Sequence, residues 1–390
     1  MNLIVNVNPL VAPLSGIGHY TAHLLGEWLE SPRLTTLAGF DYKKTYDAAA
    51  LRRRLTAALA PASATNASAY SWRQVLKASV KRLPMARQVY DWCNQRRIAA
   101  WLDRAHAVYW EPNYHRIPCR APSIVTIHDL SHREYPDYHP RERVAWLDRV
   151  LCSSVAAADH LVVVSEFTRQ ALIAAYHVDP CKISIIPPGI NPGFEVLPDE
   201  MITATRARYD LQRPYVIALG TLEPRKNWPN LLKAFQVLPD SLKRHYQLVL
   251  IGAKGWQMHT LSASIDAVRQ EGWLNILGYV SQTDLPFLLA GARCLAYPSL
   301  YEGFGMPVIE AMACGVPVLT SHVTALPETA GGAAYLVDPT DYYAIAQGLT
   351  ALLEDDLLCA KLRARGLQRA KAFSWAYSAN KLLDIAEQLA

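Results

Sequence analysis

The stretch "RCLAYPSLYEGFGMPVIEAMACGVPVLTS" runs from Arg293 to Ser321. "RCLAYPS" reads as an apolar strand, and "LYEGFG" as a loop. Pro307 suits the first turn of a helix, where its missing N–H costs nothing. "PVIEAMAC" is then a short helix, and Gly315 suits its C-terminal stop. "VPVLTS" is the next strand. This strand–loop–helix–strand unit, with both strands apolar, is a repeat of a parallel sheet covered by helices. Glu302 falls at the loop mouth, beyond the strand's carboxyl end. Glu310 lies about one turn into the helix, with seven residues between the two acids.

The same alternation extends in both directions. On the N-terminal side, "LIVNV" (3–7), "AVYW" (107–110), "SIVTIHDL" (123–130), "HLVVV" (160–164) and "KISIIPPGI" (182–190) are strand candidates. "SGIGHYTAHLLGEWL" and "RERVAWLDRVLCSSVAAA" (141–158) have helical spacing, and Ser165 caps a further helix. Residues 191–213 look like a linker plus a helix. Alternation then restarts with "YVIALG" (215–220), "YQLVLIG" (246–252) and "LNILGYV" (274–280), separated by "NWPNLLKAFQVL", "TLSASIDAVRQEG" and "QTDLPFLLAGA". The expectation is an α/β protein of two doubly wound, Rossmann-like domains with a central cleft, where ligands meet the carboxyl ends of the strands. The domains fall at 1–190 and 191–372, with a terminal helix at 373–390 packing back on the first domain.

Composition narrows the function. The chain has 390 residues, about half of them hydrophobic, and a net charge of only +5, which does not argue for nucleic acid. The excess is uneven: residues 71–104 carry eight basic and two acidic side chains, interleaved with Trp72, Tyr90, Trp92 and Trp101. Such a segment can rest on anionic lipid, form a solvated helix face over a core stripe, or offer a dimer surface. The seven cysteines are scattered and form no C-x-x-C, which fits free thiols in a reducing, cytoplasmic setting. "MNLIVNVNPL" reads as a mature first strand and not as a signal peptide. No apolar run is long enough to span a bilayer.

Several residues carry chemistry by position. Arg225 and Lys226 follow the first strand of the second half, where two cations can bind a diphosphate and stabilise its departure; a solvated basic pair is the plain alternative. Gly16 and Gly18 follow the first strand and would let the backbone approach a phosphate, or simply form a tight turn. Thr21 stands where a dinucleotide fingerprint needs a third glycine, which speaks against an NAD site. His128 and Asp129 end a strand. His128 and His132 are four apart, but the glutamate and helix of a zinc-protease motif are missing, and no D-x-D is present, so no metal is expected. For the two glutamates, carboxylates that pair with vicinal hydroxyls compete with a reading in which Glu302 caps the helix and Glu310 complements its dipole.

"EGFGMPVIEAMACGVPV" closely resembles the E-x7-E signature of retaining glycosyltransferases of family 4, which have the GT-B fold. "SGIGHYT" (15–21), "TIHDLSHREYPDYH" (126–139), "DHLVVVSEFTRQALIAAYHVDPCKISIIPPGI" (159–190) and "LGTLEPRKNWPNLLKAF" (219–235) resemble other segments of that family. The resemblance is weakest over residues 40–105. The "HD" and "EPRKN" segments are most similar to bacterial mannosyltransferases and rhamnosyltransferases of surface polysaccharide synthesis. The resemblance implies that Arg225 and Lys226 hold the donor diphosphate, with Gly16 and Gly18 near it. It gives Glu310 the ribose and Glu302 the transferred sugar, with both glutamates expected opposite Arg225 and Lys226 across the cleft. Backbone amides of Phe304, Gly305 and Met306 would also serve that sugar, the base would lie near Val280, and His128 and Asp129 would face the acceptor side. It implies front-face substitution with retention, in which the leaving phosphate takes the acceptor proton. The implied donor is GDP-mannose or a related GDP-hexose, and the acceptor a saccharide or lipid-linked saccharide. A sugar-nucleotide epimerase on a similar scaffold and a non-catalytic sugar-binding subunit are the rival readings.

Overall fold

The computed structural model describes residues 1–60, 84–253 and 265–390; for 84–91 and Arg269 it describes the backbone only. Two sheets organise the chain. The first contains β1 (Asn2–Asn6), β2 (Thr36–Phe40), β3 (Thr45–Tyr46), β4 (Val108–Glu111), β5 (Ser123–Ile127), β6 (His160–Val163) and β7 (Ile183–Ile185), in the order β3-β2-β1-β4-β5-β6-β7. Only the β2–β3 pair is antiparallel. The second contains β8 (Tyr215–Leu219), β9 (Gln247–Ile251), β10 (Leu274–Gly278), β11 (Cys294–Tyr297), β12 (Val318–Ser321) and β13 (Tyr335–Val337), in the order β10-β9-β8-β11-β12-β13, all parallel. Strands β4, β5, β8, β9, β11 and β12 are buried at every residue, as expected of strands covered on both faces.

In each sheet the strand order reverses once, between β1 and β4 and between β8 and β11. Such a switch point opens a crevice at the carboxyl ends of the strands. The two crevices face each other. A Cβ on Gly303, beyond β11, would lie 2.0 Å from the carbonyl oxygen of His128, beyond β5. Only glycine lets the two loops approach so closely.

The last helix, Trp375–Leu389, belongs to the first domain's core. Trp375, Leu382 and Leu383 share one apolar cluster with Trp28 and Leu25, and the Trp28 indole N–H donates to the Ala379 carbonyl at 3.1 Å. Two crossings therefore join the domains, near 187–191 and near 373–375. They run against each other: Ser378 Oγ donates to the Pro187 carbonyl at 2.6 Å, and a Cβ on Gly189 would lie 2.3 Å from the Trp375 nitrogen.

The strand–loop–helix–strand reading of 293–321 matches the structure: β11, the helix Met306–Ala313 and β12 follow in turn, with Gly305 at φ +98° and Gly315 at φ +71° flanking the helix. The sequence reading passed over β2, β3, β13 and the helices Ala48–Leu59 and Leu326–Ala330. These are short or weakly patterned; "TLAGF" is held as a strand by packing, since a Cβ on Gly39 would meet Leu51 at 2.6 Å. Of the helix expected at 260–272, residues 260–264 lie outside the described residues, 265–268 are helical, and a single tighter turn, Arg269–Glu271, follows. Residues 71–83 of the basic segment also lie outside, and its later part is the helix Pro84–Leu102.

Candidate active site

The second switch point holds a buried ionic cluster. Arg225 and Lys226 come from the single turn Pro224–Lys226 after β8, and Glu302 from the loop after β11. Glu302 Oε1 accepts from Lys226 Nζ at 2.6 Å and from the Tyr297 hydroxyl at 2.8 Å, and Oε2 accepts from Arg225 Nη1 at 2.8 Å. Lys226 Nζ also donates to the Tyr297 oxygen at 2.6 Å, and Arg225 Nη2 pairs with Glu223 Oε1 at 2.7 Å. The side chains of Glu302 and Lys226 are 7% and 9% exposed, so this is not a surface pair. Burial pushes the Glu302 pKa up, but Arg225 and Lys226 outweigh it and hold the carboxyl down at about 2. Burial and then the Arg225 charge lower Lys226.

This corrects one placement. From sequence, the glutamates were expected opposite Arg225 and Lys226 across the cleft. Both cations and both glutamates instead stand on the second domain, because β8 and β11 are neighbours in one sheet. The capping reading of Glu302 also falls: the helix Met306–Ala313 starts at Gly305 with no side-chain cap. The amides of Phe304, Gly305 and Met306 find no acceptor among the described residues, and the Phe304 ring packs against Phe373 at 5.5 Å between centroids. All three amides are open donors of the loop.

Glu310 is set apart from the cations. It is buried at the second turn of its helix, and Asn191 Nδ2 donates to its Oε1 at 2.9 Å. Burial raises its carboxyl to about 7, against the opposing Asn191 hydrogen bond. Buried and paired sideways in this way, it is not trim on the helix dipole. Asn191 Oδ1 is buried and has no partner among the described residues. Asn191 lines a cavity of about 260 Å³ between the domains, with Pro13, Leu14, His19 and His23 on one side and Phe194, Tyr279, Gln282 and Thr283 on the other.

Val280 is itself in the second domain's core, and its neighbours Tyr279 and Gln282 reach that cavity. Gly18 lies in the first turn of the helix Gly16–Leu29. Its N–H donates to the Ser15 Oγ cap at 3.2 Å, and a Cβ there would meet Leu14 and the Pro9 carbonyl at 3.0 Å. Its role is the tight start of the helix Gly16–Leu29, whereas a Cβ on Gly16 would meet nothing within 4 Å.

On the first domain, the His128 Nε2–H donates to the Pro112 carbonyl at 2.8 Å. That bond fixes the tautomer and leaves Nδ1 as an acceptor. Burial lowers the His128 pKa, so the ring is neutral at pH 7. Asp129 Oδ1 accepts from the Ser131 amide at 3.0 Å and from its hydroxyl at 2.8 Å. Burial pushes Asp129 up, but Arg225 and the Ser131 bonds prevail and hold it low, so Asp129 stays ionised facing the cluster. His132 turns away to Asp148 at 3.5 Å, and among the described residues no group of three or more His, Cys, Asp or Glu could hold a metal. All seven cysteines are unpaired.

Tyr297, Glu223 and Asn191 were not picked out from sequence. Tyr297 and Glu223 each sit within two residues of a strand–loop junction that was, and Asn191 follows the strand-stopping "PPGI". That position was their only signal.

Two facing doubly wound domains, with a cation–carboxylate cluster at one switch point, make up the GT-B architecture. Residues 203–370 match the family model for glycosyl transferases group 1, and residues 48–194 match that for glycosyltransferase family 4. The chain is 34% identical over 378 residues to O-antigen chain mannosyltransferase B of Escherichia coli, covering 96% of each. It is 28% identical to the O-antigen chain mannosyltransferase RfbU of Salmonella typhimurium over 58% of this chain and 60% of that one. In fold it is similar to the Anabaena protein HepE in complex with UDP-glucose (TM-score 0.74, 15% identity, 100% of both chains) and to WaaG, a glycosyltransferase involved in lipopolysaccharide biosynthesis (TM-score 0.70, 14% identity, 98% and 99%). The chain belongs to glycosyltransferase family 4, as its motifs implied, and is a glycosyltransferase.

Proposed function

We propose that this chain is a retaining mannosyltransferase that moves mannose from GDP-mannose, or a closely related GDP-hexose, onto a saccharide or lipid-linked saccharide in O-antigen or related surface polysaccharide synthesis. The observation that carries the substrate class is the near full-length similarity to an O-antigen chain mannosyltransferase. The geometry that supports the chemistry is the pairing of Arg225 and Lys226 with Glu302 at the switch point.

In this reading a diphosphate enters beside Arg225 and Lys226 and takes over as partner of at least one cation. Glu302, released from that pairing, turns to the transferred sugar, helped by the amides of Phe304, Gly305 and Met306. Glu310 and Asn191 hold the ribose, and the base lies in the cavity beside Tyr279 and Gln282. His128 Nδ1 accepts a sugar hydroxyl from the opposite wall. As the glycosidic bond breaks, the two cations stabilise the charge gathering on the diphosphate. The departing phosphate oxygen takes the acceptor's proton, and the acceptor oxygen bonds to the same face of the sugar carbon. Orientation by the two walls supplies the remainder. Charge neutralisation is assigned to side chains, with no metal.

The enzyme is proposed to work in the cytoplasm, touching anionic membrane through 71–104. No helix among the described residues is long and apolar enough to cross a membrane. The test is incubation with a panel of nucleotide sugars, with and without lipid-linked acceptors, in EDTA and in magnesium. Acceptor-dependent release of GDP and an α-mannosylated product support the proposal. Release with epimer and no acceptor points to an epimerase, and binding without turnover to a sugar-binding subunit. Failure to float with anionic vesicles at low salt removes the membrane contact.

A further inference from the structure

The two domains meet at one polar junction away from the ionic cluster. The helix Glu166–Tyr176 of the first domain begins there, and its first-turn amides have no partners within the helix. Ser165 caps one of them, the Thr168 N–H, at 3.1 Å. The next two are taken by the other domain. Glu328 Oε1 accepts from the Glu166 amide at 2.8 Å, and Oε2 accepts from the Phe167 amide at 3.1 Å. A carboxylate bridging two amides at a helix start is favoured both by the hydrogen bonds and by the helix dipole.

The other end of this contact is tied to the reacting loop. Glu328 lies on the helix Leu326–Ala330, where Thr329 Oγ donates to the Phe304 carbonyl at 2.6 Å. A Cβ on Gly305 would meet Leu326 at 2.7 Å, so helix and loop are in direct contact. Arg369 donates to the Glu328 and Thr329 carbonyls at 2.8 and 3.1 Å and fixes that helix from behind. Ser165 Oγ also donates to the Gly303 carbonyl at 2.7 Å, in the same loop that meets His128. The glutamate itself is exposed at the junction's rim, where water can replace either amide. A contact of this kind can break and re-form without unfolding either domain.

We propose that Glu328 is a positioning residue for glycosyl transfer: by capping the first domain's helix from the second domain, it holds the cleft closed with His128 against the Glu302–Met306 loop. It touches no substrate. Its effect falls on the fraction of enzyme whose two walls are engaged, and so on turnover more than on donor affinity, because the donor groups named above stand mainly on the second domain.

The test compares Glu328→Ala and Glu328→Gln with wild type. In the Ala variant the Glu166 and Phe167 amides are expected to lose hydrogen-exchange protection. Turnover is expected to fall roughly tenfold, the scale of a lost helix cap. The GDP-mannose dissociation constant and the thermal midpoint are expected to stay near wild type. Gln keeps one carbonyl acceptor and is expected to fall between. Unchanged amide protection in Glu328→Ala overturns the proposal. So does wild-type turnover with the protection lost, or a turnover loss matched by lost thermal stability. The kinetic arm rests on the mannosyl-transfer reading. If wild type itself turns over no nucleotide sugar, that reading fails, and the amide exchange of the two variants still decides whether Glu328 joins the domains.

Discussion

Replacing Glu302 by Gln removes one negative charge from a site where three donors converge on it at 2.6, 2.8 and 2.8 Å. The folded carboxyl sits at about 2, against an ordinary 4.5. At ~1.4 kcal/mol per pKa unit this is about 3 kcal/mol of unfolding free energy at pH 7. The sign follows from the depressed folded value. The contribution is complete above the unfolded pKa of 4.5 and is lost as pH falls toward 2. Glutamine cannot replace it, since its amide turns N–H toward either Lys226 or Arg225. Urea unfolding of wild type and variant, followed by circular dichroism, is expected to show the full deficit from pH 5 to 7 and about 1 kcal/mol of it at pH 3. Transfer is expected to fall by about 10²–10³, the scale for losing a preorganised charged group. Equal stability at pH 7, or a deficit that does not shrink toward pH 3, would refute the reasoning that the buried cations hold this carboxylate.

Glu310 behaves in the opposite sense, because burial raises its folded pKa to about 7. Wild type should lose stability as pH rises from about 4.5 to 7, and Glu310→Gln should abolish up to about 3 kcal/mol of that slope, measured by the same titration. Gly303→Ala should leave GDP binding within a few-fold by calorimetry yet abolish transfer, since the new Cβ would lie 2.0 Å from the His128 carbonyl oxygen; near-normal transfer would show that the two loops need not meet. Lys226→Ala should lower both diphosphate affinity and turnover, and Lys226→Arg should not restore them, because the Nζ fills a buried slot between Glu302 and Tyr297. Recovery by arginine would reduce the residue's role to bare charge.

The sheets were legible because covered strands must be continuously apolar, and "YVIAL", "QLVLI" and "CLAY" have no other use in a protein of ordinary composition. The helix start at Pro307 and its stop at Gly315 were legible for equally local reasons. The missed elements, β2, β3 and β13, are two to five residues long, and only their neighbours make them strands.

The site divides along the same line. By itself the sequence determined two doubly wound halves, and the residues that stand at strand ends: Arg225, Lys226, Glu302 and His128. Position along the chain settles that much, since a side chain just past a parallel strand must lie at the sheet's carboxyl edge. Only the tertiary structure decided which of them touch. The order β8-β11 sets Glu302 directly on Arg225 and Lys226 and not across a cleft from them, because strands far apart in sequence are neighbours in the sheet. Burial then fixed the charge states, driving Glu310 up while the cations drove Glu302 down. Two carboxylates on one short loop and helix are thus driven in opposite directions, for a reason that lies wholly in what folds around them.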